Sequence, residues 1–98
     1  MSRSFYSGYV QHCMRFYVRC PKPVFYNDVG QQNWKACERA LKGFSEWAKD
    51  VLTAVYSNGD TLADSVYQVS KNRGVEQDKV WKLIRKLERK VAKERGLI

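Results

Sequence analysis

The last quarter of the chain constrains the fold most, because one segment carries an apolar stripe and a basic stripe at the same helical spacing. Each α-helical residue turns by about 100°, so side chains three or four positions apart share a side. The apolar stripe consists of Val80, Ile84, Leu87 and Val91. The basic stripe, whose mean direction lies about 130° away, consists of Lys79, Lys82, Lys86, Arg89 and Lys93. Together they predict a helix from about Gln77 to Arg95 with one face towards a core.

Positive charge is concentrated in the same part of the chain. The formal net charge is +8, and residues 71–95 alone hold ten Lys or Arg against four Asp or Glu, a local excess of +6. A lysine or arginine that neutralises a phosphate releases condensed counterions, so a basic helix face favours nucleic acid without reading its sequence. An ordinary solvated face is the alternative, because basic stripes are common on surface helices. The location of the charge, more than its total, points to nucleic acid.

The residues before this helix follow the order of a helix-turn-helix, in which a first helix, a glycine turn and a second helix pack through branched aliphatics. Ser70 is small where the two helices would cross, Gly74 suits a turn residue with positive φ, and Val75 would seal the junction. Two positions depart from the pattern. Arg73 stands where an apolar residue is usual, and Glu76 stands where serine or threonine would cap the second helix. We therefore predict a helix-turn-helix with an unusual turn.

Two helices are predicted in the first 42 residues, on either side of Pro21-Lys22-Pro23. The first covers residues 4 to about 20, where apolar and aromatic residues recur at helical spacing. The second is capped by Asn27 or Asp28 and continues to about Lys42. A short hairpin around the prolines is the alternative, because the triplets that flank them are aromatic or β-branched.

Two further helices have clear start signals. Ser45 is a good N-cap, and apolar residues then repeat at helical spacing to about Ser57. Asp60 or Thr61 caps the next helix, in which Thr61 and Asp64 form a variant of the capping box. The elements together predict an all-α fold, a compact bundle of four to five helices with a C-terminal helix-turn-helix and a long basic last helix.

The chain length of 98 residues suits one domain with one small core. Within it, residues 1–27 form an aromatic segment ahead of the helix-turn-helix part, residues 28–98. The aromatic residues of the segment are Phe5, Tyr6, Tyr9, Phe16, Tyr17, Phe25 and Tyr26. We expect them to belong to the core, since aromatic side chains commonly anchor cores. The alternative is an interface with RNA polymerase or a second protomer, because tyrosine-rich patches make good anchors.

Metal, membrane and catalytic functions are disfavoured. Cys13, Cys20 and Cys37 cannot all pair within a monomer and no signal peptide precedes them, so we expect a reducing cytoplasm. The lone His12 and the wide cysteine spacing disfavour zinc, and we expect no cofactor. No apolar run approaches the roughly 20 residues of a membrane span. Neither paired carboxylates in an apolar context nor a glycine-rich phosphate loop is present, so we predict that the chain is not an enzyme.

The middle of the chain contains the runs ALKGFSE (residues 40–46), KDVLTAVY (residues 49–56) and GDT (residues 59–61). Their order resembles region four of bacterial sigma factors and the sigma-like regulators that phages encode, over about residues 31–95. The stretch between Thr61 and Gly74 is longer than that family usually allows, and nothing resembles the sigma region that binds the minus-ten element. The resemblance therefore implies a stand-alone regulator of the phage or prophage type, in the bacterial cytoplasm or nucleoid.

In that family the last helix lies along promoter DNA, with base contacts from its first two turns and phosphate contacts beyond them. Carried over by position, the candidates for base contacts are Gln77, Lys79, Trp81 and Lys82. The candidates for phosphate contacts are Lys71, Arg73, Arg85, Lys86, Arg89 and Lys93. Gln77 would pair with adenine, and Lys79 or Lys82 with guanine. Trp81 has an alternative role, packing against the N-terminal segment.

The resulting prediction is a DNA-binding transcription regulator, with double-stranded DNA as its partner and RNA polymerase as a candidate second partner. The alternative is a small phage-type interaction protein that blocks host RNA polymerase or a nucleic-acid-guided nuclease through protein contacts, since fold alone does not separate the two. A third interpretation is a homodimer through the last helix, for which about two heptads are available.

Overall fold

The computed structural model describes residues 5–19, 28–58 and 61–98, and these ranges contain helices and no strand. The helices in the described ranges are α1 (Ser7–Arg19), α2 (Asp28–Leu41), α3 (Glu46–Ser57), α4 (Leu62–Arg73) and α5 (Gln77–Glu94). The predicted all-α fold is confirmed. The alternative hairpin is wrong on its first side, because Phe16, Tyr17 and Val18 lie within α1.

Some of the sequence predictions fall outside the described residues. They concern Ser4, Cys20, the proline segment 21–23, Phe25, Tyr26, Asn27, Gly59 and Asp60. The helix boundaries within the described ranges agree with the predicted boundaries to within a few residues. The second helix begins at Asp28, and the last ends at Glu94, one residue before the predicted Arg95.

The predicted apolar stripe of the last helix lies at the centre of the core. All four of its residues are fully buried: Val80, Ile84, Leu87 and Val91. The helix that carries them, α5, packs against each of the other four described helices. Its neighbours contribute fully buried side chains such as Met14 of α1 and Leu52 of α3. Because burial of an aliphatic side chain stabilises a fold by about 1.5–3 kcal/mol, this stripe fixes which face of α5 remains outside.

Side-chain caps start α3 and α4 where the sequence predicts them. The Ala48 amide donates to Ser45 Oγ at 3.2 Å, and the Asp64 amide donates to Thr61 Oγ1 at 3.3 Å. Each bond satisfies one of the amides that the first turn of a helix leaves without a backbone partner. The starts of both helices are therefore set by local chemistry.

The turn between α4 and α5 is built around Gly74, whose φ of 64° and ψ of 34° are left-handed. The amides of Gly74 and Val75 both donate to the Ser70 carbonyl, the second at 3.1 Å. The Ser70 hydroxyl in turn donates to the Val75 carbonyl. Glu76 then precedes α5 without a side-chain cap. The predicted positive φ at Gly74 is confirmed.

Hydrogen bonds attach the C-terminal end of α5 to α2. The Arg95 guanidinium donates to Asn33 Oδ1 at 2.6 Å and to Gln32 Oε1 at 2.7 Å. Arg39 of α2 pairs with Glu94 at 3.2 Å. Asn33 also accepts from the Tyr9 hydroxyl at 2.8 Å, so that α1 joins the same group. These contacts fix the direction in which α5 leaves the core.

The aromatic N-terminal segment divides between core and surface. Tyr6 is buried, and Tyr17 is half-buried with its ring 5.2 Å from that of Trp34. Phe16 is half-buried, and Tyr9 is partly exposed while it bonds Asn33. Phe5 is 81% exposed, so its assignment to the core is wrong. The physical reason is position, since Phe5 precedes α1 and its neighbour Tyr6 takes the inward direction.

Candidate nucleic-acid interface

The solvent side of α5 carries a continuous group of cations. Its members, called here the basic face, are Lys79, Lys82, Arg85, Lys86, Arg89 and Lys93, and all of them are exposed. These side chains point towards solvent because the apolar stripe on the opposite side of α5 is fully buried. The separation of the two sides that the sequence predicts is therefore confirmed. A surface of this kind attracts polyanions without any further chemistry.

The four candidates for base contacts do not share one environment. Gln77, Lys79 and Lys82 are exposed in the first two turns of α5. Trp81 is half-buried and packs against the core. The exposed Asp78 in the first turn favours the helix dipole and repels phosphate. Cations and an amide are thus available at the start of α5, beside two exposed carboxylates, Glu76 and Asp78, that oppose them.

The two phosphate candidates at the end of α4 differ from each other. Lys71 and Arg73 are both exposed and lie in the last turn before Gly74. The Arg73 guanidinium donates to the carboxylate of Asp50 on α3. The charge of Arg73 is therefore partly neutralised by a carboxylate on another helix. Lys71 is the stronger phosphate candidate of the two on this ground.

Two aromatic rings at the start of α3, Phe44 just before the helix and Trp47 within it, lie under lysines of α5. Lys79 Nζ is 5.9 Å from the centre of the Trp47 ring. Lys86 Nζ and Lys90 Nζ lie 5.6 Å and 5.7 Å from the centre of the Phe44 ring. These distances are within the range in which a ring face attracts a cation. No local pattern in the sequence predicts a role in binding for Phe44, Trp47 or Lys90.

Gly43 leaves the space that Lys90 occupies. A Cβ atom built on Gly43 would lie 2.7 Å from Lys90 Nζ and 3.4 Å from its Cε. Any larger residue would therefore push the ammonium group away from its position over Phe44. Gly43 and Phe44 act on Lys90 together, one by leaving room and the other by attraction.

The carboxylates that border this region are bonded to cations. Glu46, at the start of α3, accepts from Lys49 at 3.2 Å, and Asp50 accepts from Arg73. Because each carboxylate is partly neutralised by its partner, the edge of α3 opposes an approaching polyanion less than its sequence suggests. The lysines of α5 next to this edge contact rings instead.

The thiols of the described residues have little chemical reactivity. Cys13 and Cys37 are buried free cysteines. Burial, and then the nearby Cys13, raise the pKa of Cys37 from 9.0 to about 12. Burial also raises the pKa of Cys13. Thiolates are the nucleophilic and metal-binding form, so both side chains act as small apolar core residues at neutral pH.

The described ranges also lack a metal-ligand cluster and a membrane-spanning helix. No three or more His, Cys, Asp or Glu side chains group there as metal ligands would. None of the helices in those ranges has both the length and the apolar character needed to cross a bilayer.

Comparison with known proteins yields no relative, because no family model, curated protein or solved structure matches this chain. The resemblance to region four of sigma factors therefore stays a prediction.

Proposed function

We propose that this chain is a DNA-binding transcription regulator that contacts duplex DNA through the basic face of α5. The observation that carries the proposal is the separation of charge on that helix, with six exposed cations opposite a fully buried apolar stripe. An α-helix fits the major groove of B-DNA, where the edges of all base pairs can be distinguished. The cytoplasm of a bacterial host is the location that this function implies.

In this proposal, α5 lies in the major groove and the exposed residues of its first two turns read bases. Gln77 can pair with the adenine edge through two hydrogen bonds, and Lys82 can donate to the acceptors of guanine. Arg85, Lys86, Arg89 and Lys93, further along the helix, bind phosphates and fix its register. Lys71 adds a phosphate contact from α4. Phosphate contacts supply affinity, and the few residues at the start of α5 supply specificity.

The test is selection from a random duplex library at about 50 mM and about 200 mM salt, followed by sequencing of the retained DNA. A sequence-specific regulator enriches a motif and loses affinity steeply as salt rises. Retention without a motif would leave a nonspecific DNA binder, and no retention at the lower salt concentration would contradict the proposal.

Charge reversal on the basic face gives the matched comparison. We expect Lys82→Glu to reduce duplex affinity by more than about tenfold, because one phosphate or base contact is lost and a repulsion replaces it. Lys35→Glu is the control, since Lys35 is exposed on α2 and undergoes the same change in net charge. Equal losses in the two variants would mean that net charge, and not the basic face, governs binding.

A protein-binding function is the second candidate, and one observation favours it. Phe5 is 81% exposed and Val29 is 56% exposed, near the starts of α1 and α2. Exposed apolar side chains of this size suit contact with another protein, such as host RNA polymerase or a nucleic-acid-guided nuclease. Phe5→Ser would weaken such a contact and leave duplex binding unchanged.

A homodimer through the apolar stripe of α5 is not compatible with this fold. The residues that a coiled coil would use, Leu87 among them, are already fully buried within one chain. A dimer would need a different surface.

A further inference from the structure

The edge of α5 that faces α3 carries three lysines at helical spacing. Lys79, Lys86 and Lys90 are separated by seven and four residues, two turns and one turn, so they share a side. The row that they form is about 16 Å long at a rise of 1.5 Å per residue. Phe44 and Trp47 lie beside it, with ring centres 5.6–5.9 Å from the three ammonium groups.

A ring and a carboxylate hold a lysine with different consequences for its charge. A carboxylate neutralises the ammonium group and takes up its donors. A ring face attracts the cation through its quadrupole, so the net charge stays at +1 and the N–H groups remain available. Arg39, Lys49 and Arg73 contact carboxylates, whereas the three lysines of the row contact rings. The row therefore combines fixed position with full charge.

Position matters because a free lysine has a flexible side chain. Immobilising such a side chain on binding lowers the affinity, and a contact that restricts it beforehand reduces that loss. Trp47 has this effect on Lys79 while itself remaining 48% exposed. Phe44, which is only 8% exposed, provides a fixed surface for Lys86 and Lys90.

We propose that Phe44 and Trp47 are positioning residues for a second row of phosphate contacts, in which Lys79, Lys86 and Lys90 bind the backbone of one strand of duplex DNA. This inference rests on the proposed function and deepens it. It adds Lys90 to the phosphate contacts and assigns Lys79 to the backbone instead of to a base edge. One strand of B-DNA carries a charge about every 3.4 Å along the axis, so a row of this length faces several phosphates.

The test measures the affinity of the full chain for a short duplex of mixed sequence as a function of salt. We expect Trp47→Leu to weaken binding about threefold to tenfold and to change the slope of log K against log salt little, because Lys79 loses the ring that restricts it but keeps its charge. Lys79→Gln should weaken binding at least as much and reduce the slope by about 0.9, the value of one phosphate contact. The double variant should lose little more affinity than Lys79→Gln alone, because Trp47 acts through Lys79.

Tyr67→Leu is the control for the loss of an exposed aromatic residue. Tyr67 is 49% exposed on α4, close to the 48% of Trp47, and no lysine of the described residues lies over its ring. Its replacement should leave both the affinity and the salt slope unchanged. An unchanged affinity in Trp47→Leu, or simple addition of the Trp47 and Lys79 effects, would overturn the proposal.

Lys90→Gln tests the Phe44 half of the row without disturbing a buried ring. Lys90 is not among the phosphate candidates that the sequence provides, so a slope loss of about 0.9 is specific to this proposal. An unchanged slope would overturn the assignment of Lys90 to the row.

Lys82→Glu distinguishes failure of the second row from failure of the proposed function. If the wild-type chain binds the duplex and Lys82→Glu does not, while Trp47→Leu and Lys90→Gln behave like the wild type, only the second row is rejected. If the wild-type chain does not bind the duplex at low salt, the proposed function and the second row fail together.

Discussion

Cys37 shows how burial of one residue makes the stability of the fold depend on pH. Its thiol keeps its proton to about pH 12 in the folded chain, against an ordinary pKa of 9.0. Unfolding therefore releases a proton between these two values, and the stability that the neutral thiol contributes is lost as pH rises through this window. The expected loss is about 1.4 kcal/mol for each pH unit within the window.

The measurement is urea unfolding at about pH 8 and about pH 10, for the wild-type chain and Cys37→Ala. The stability of the wild type should fall more than that of the variant, because the variant lacks this titration. Cys13 and Tyr17, whose pKa values are also raised by burial, titrate in both proteins, so most of their contribution cancels; the part that Cys37 adds to the raised pKa of Tyr17 is lost in the variant. Equal falls in the two proteins would contradict the assignment to Cys37.

At the scale of the element, Gly74 and Gly8 form a matched pair of glycines. Both have open space where a Cβ would lie, but Gly74 has a φ of 64° and Gly8 lies within α1. Gly74→Ala should destabilise the chain by about 1–2 kcal/mol, because an L-residue is strained in the left-handed region. Gly8→Ala should stabilise it by about 0.5–1 kcal/mol through helix propensity. Thermal unfolding of both variants checks the opposite signs, and a stable Gly74→Ala variant would contradict the turn geometry.

The sequence predicts features that depend on neighbouring residues and misses features that depend on tertiary contacts. Ser45, Thr61 and Gly74 are correctly predicted because capping and positive φ depend on residues within one turn. Five of the six cations of the basic face, all except Arg85, follow from periodicity alone. Which rings lie under Lys79 and Lys90 depends on how α3 and α5 pack, and no local pattern in the sequence encodes that contact. The missed part of the candidate site is therefore the part made by tertiary contact.

At the scale of the whole molecule, the basic face should lower stability in the absence of DNA. Lys82 lies three or four residues from Lys79, Arg85 and Lys86, and like charges at these spacings destabilise a helix by roughly 0.2–0.5 kcal/mol per pair. Lys82→Glu turns the three repulsions into attractions and turns the attraction between Asp78 and Lys82 into a repulsion. We therefore expect the variant to be more stable by about 0.8–2 kcal/mol at low salt, with a smaller difference at high salt because of screening.

Urea unfolding of the wild type, Lys82→Glu and Lys35→Glu at two salt concentrations checks this expectation. Lys35→Glu should change stability little, because it gains an attraction to Arg39 and a repulsion from Glu38. If Lys82→Glu gains stability and loses duplex binding, the charge of Lys82 favours binding and opposes folding. This trade-off is expected of functional sites. A destabilised Lys82→Glu variant would instead mean that Lys82 supports the fold, and its loss of duplex binding would then say nothing about the basic face.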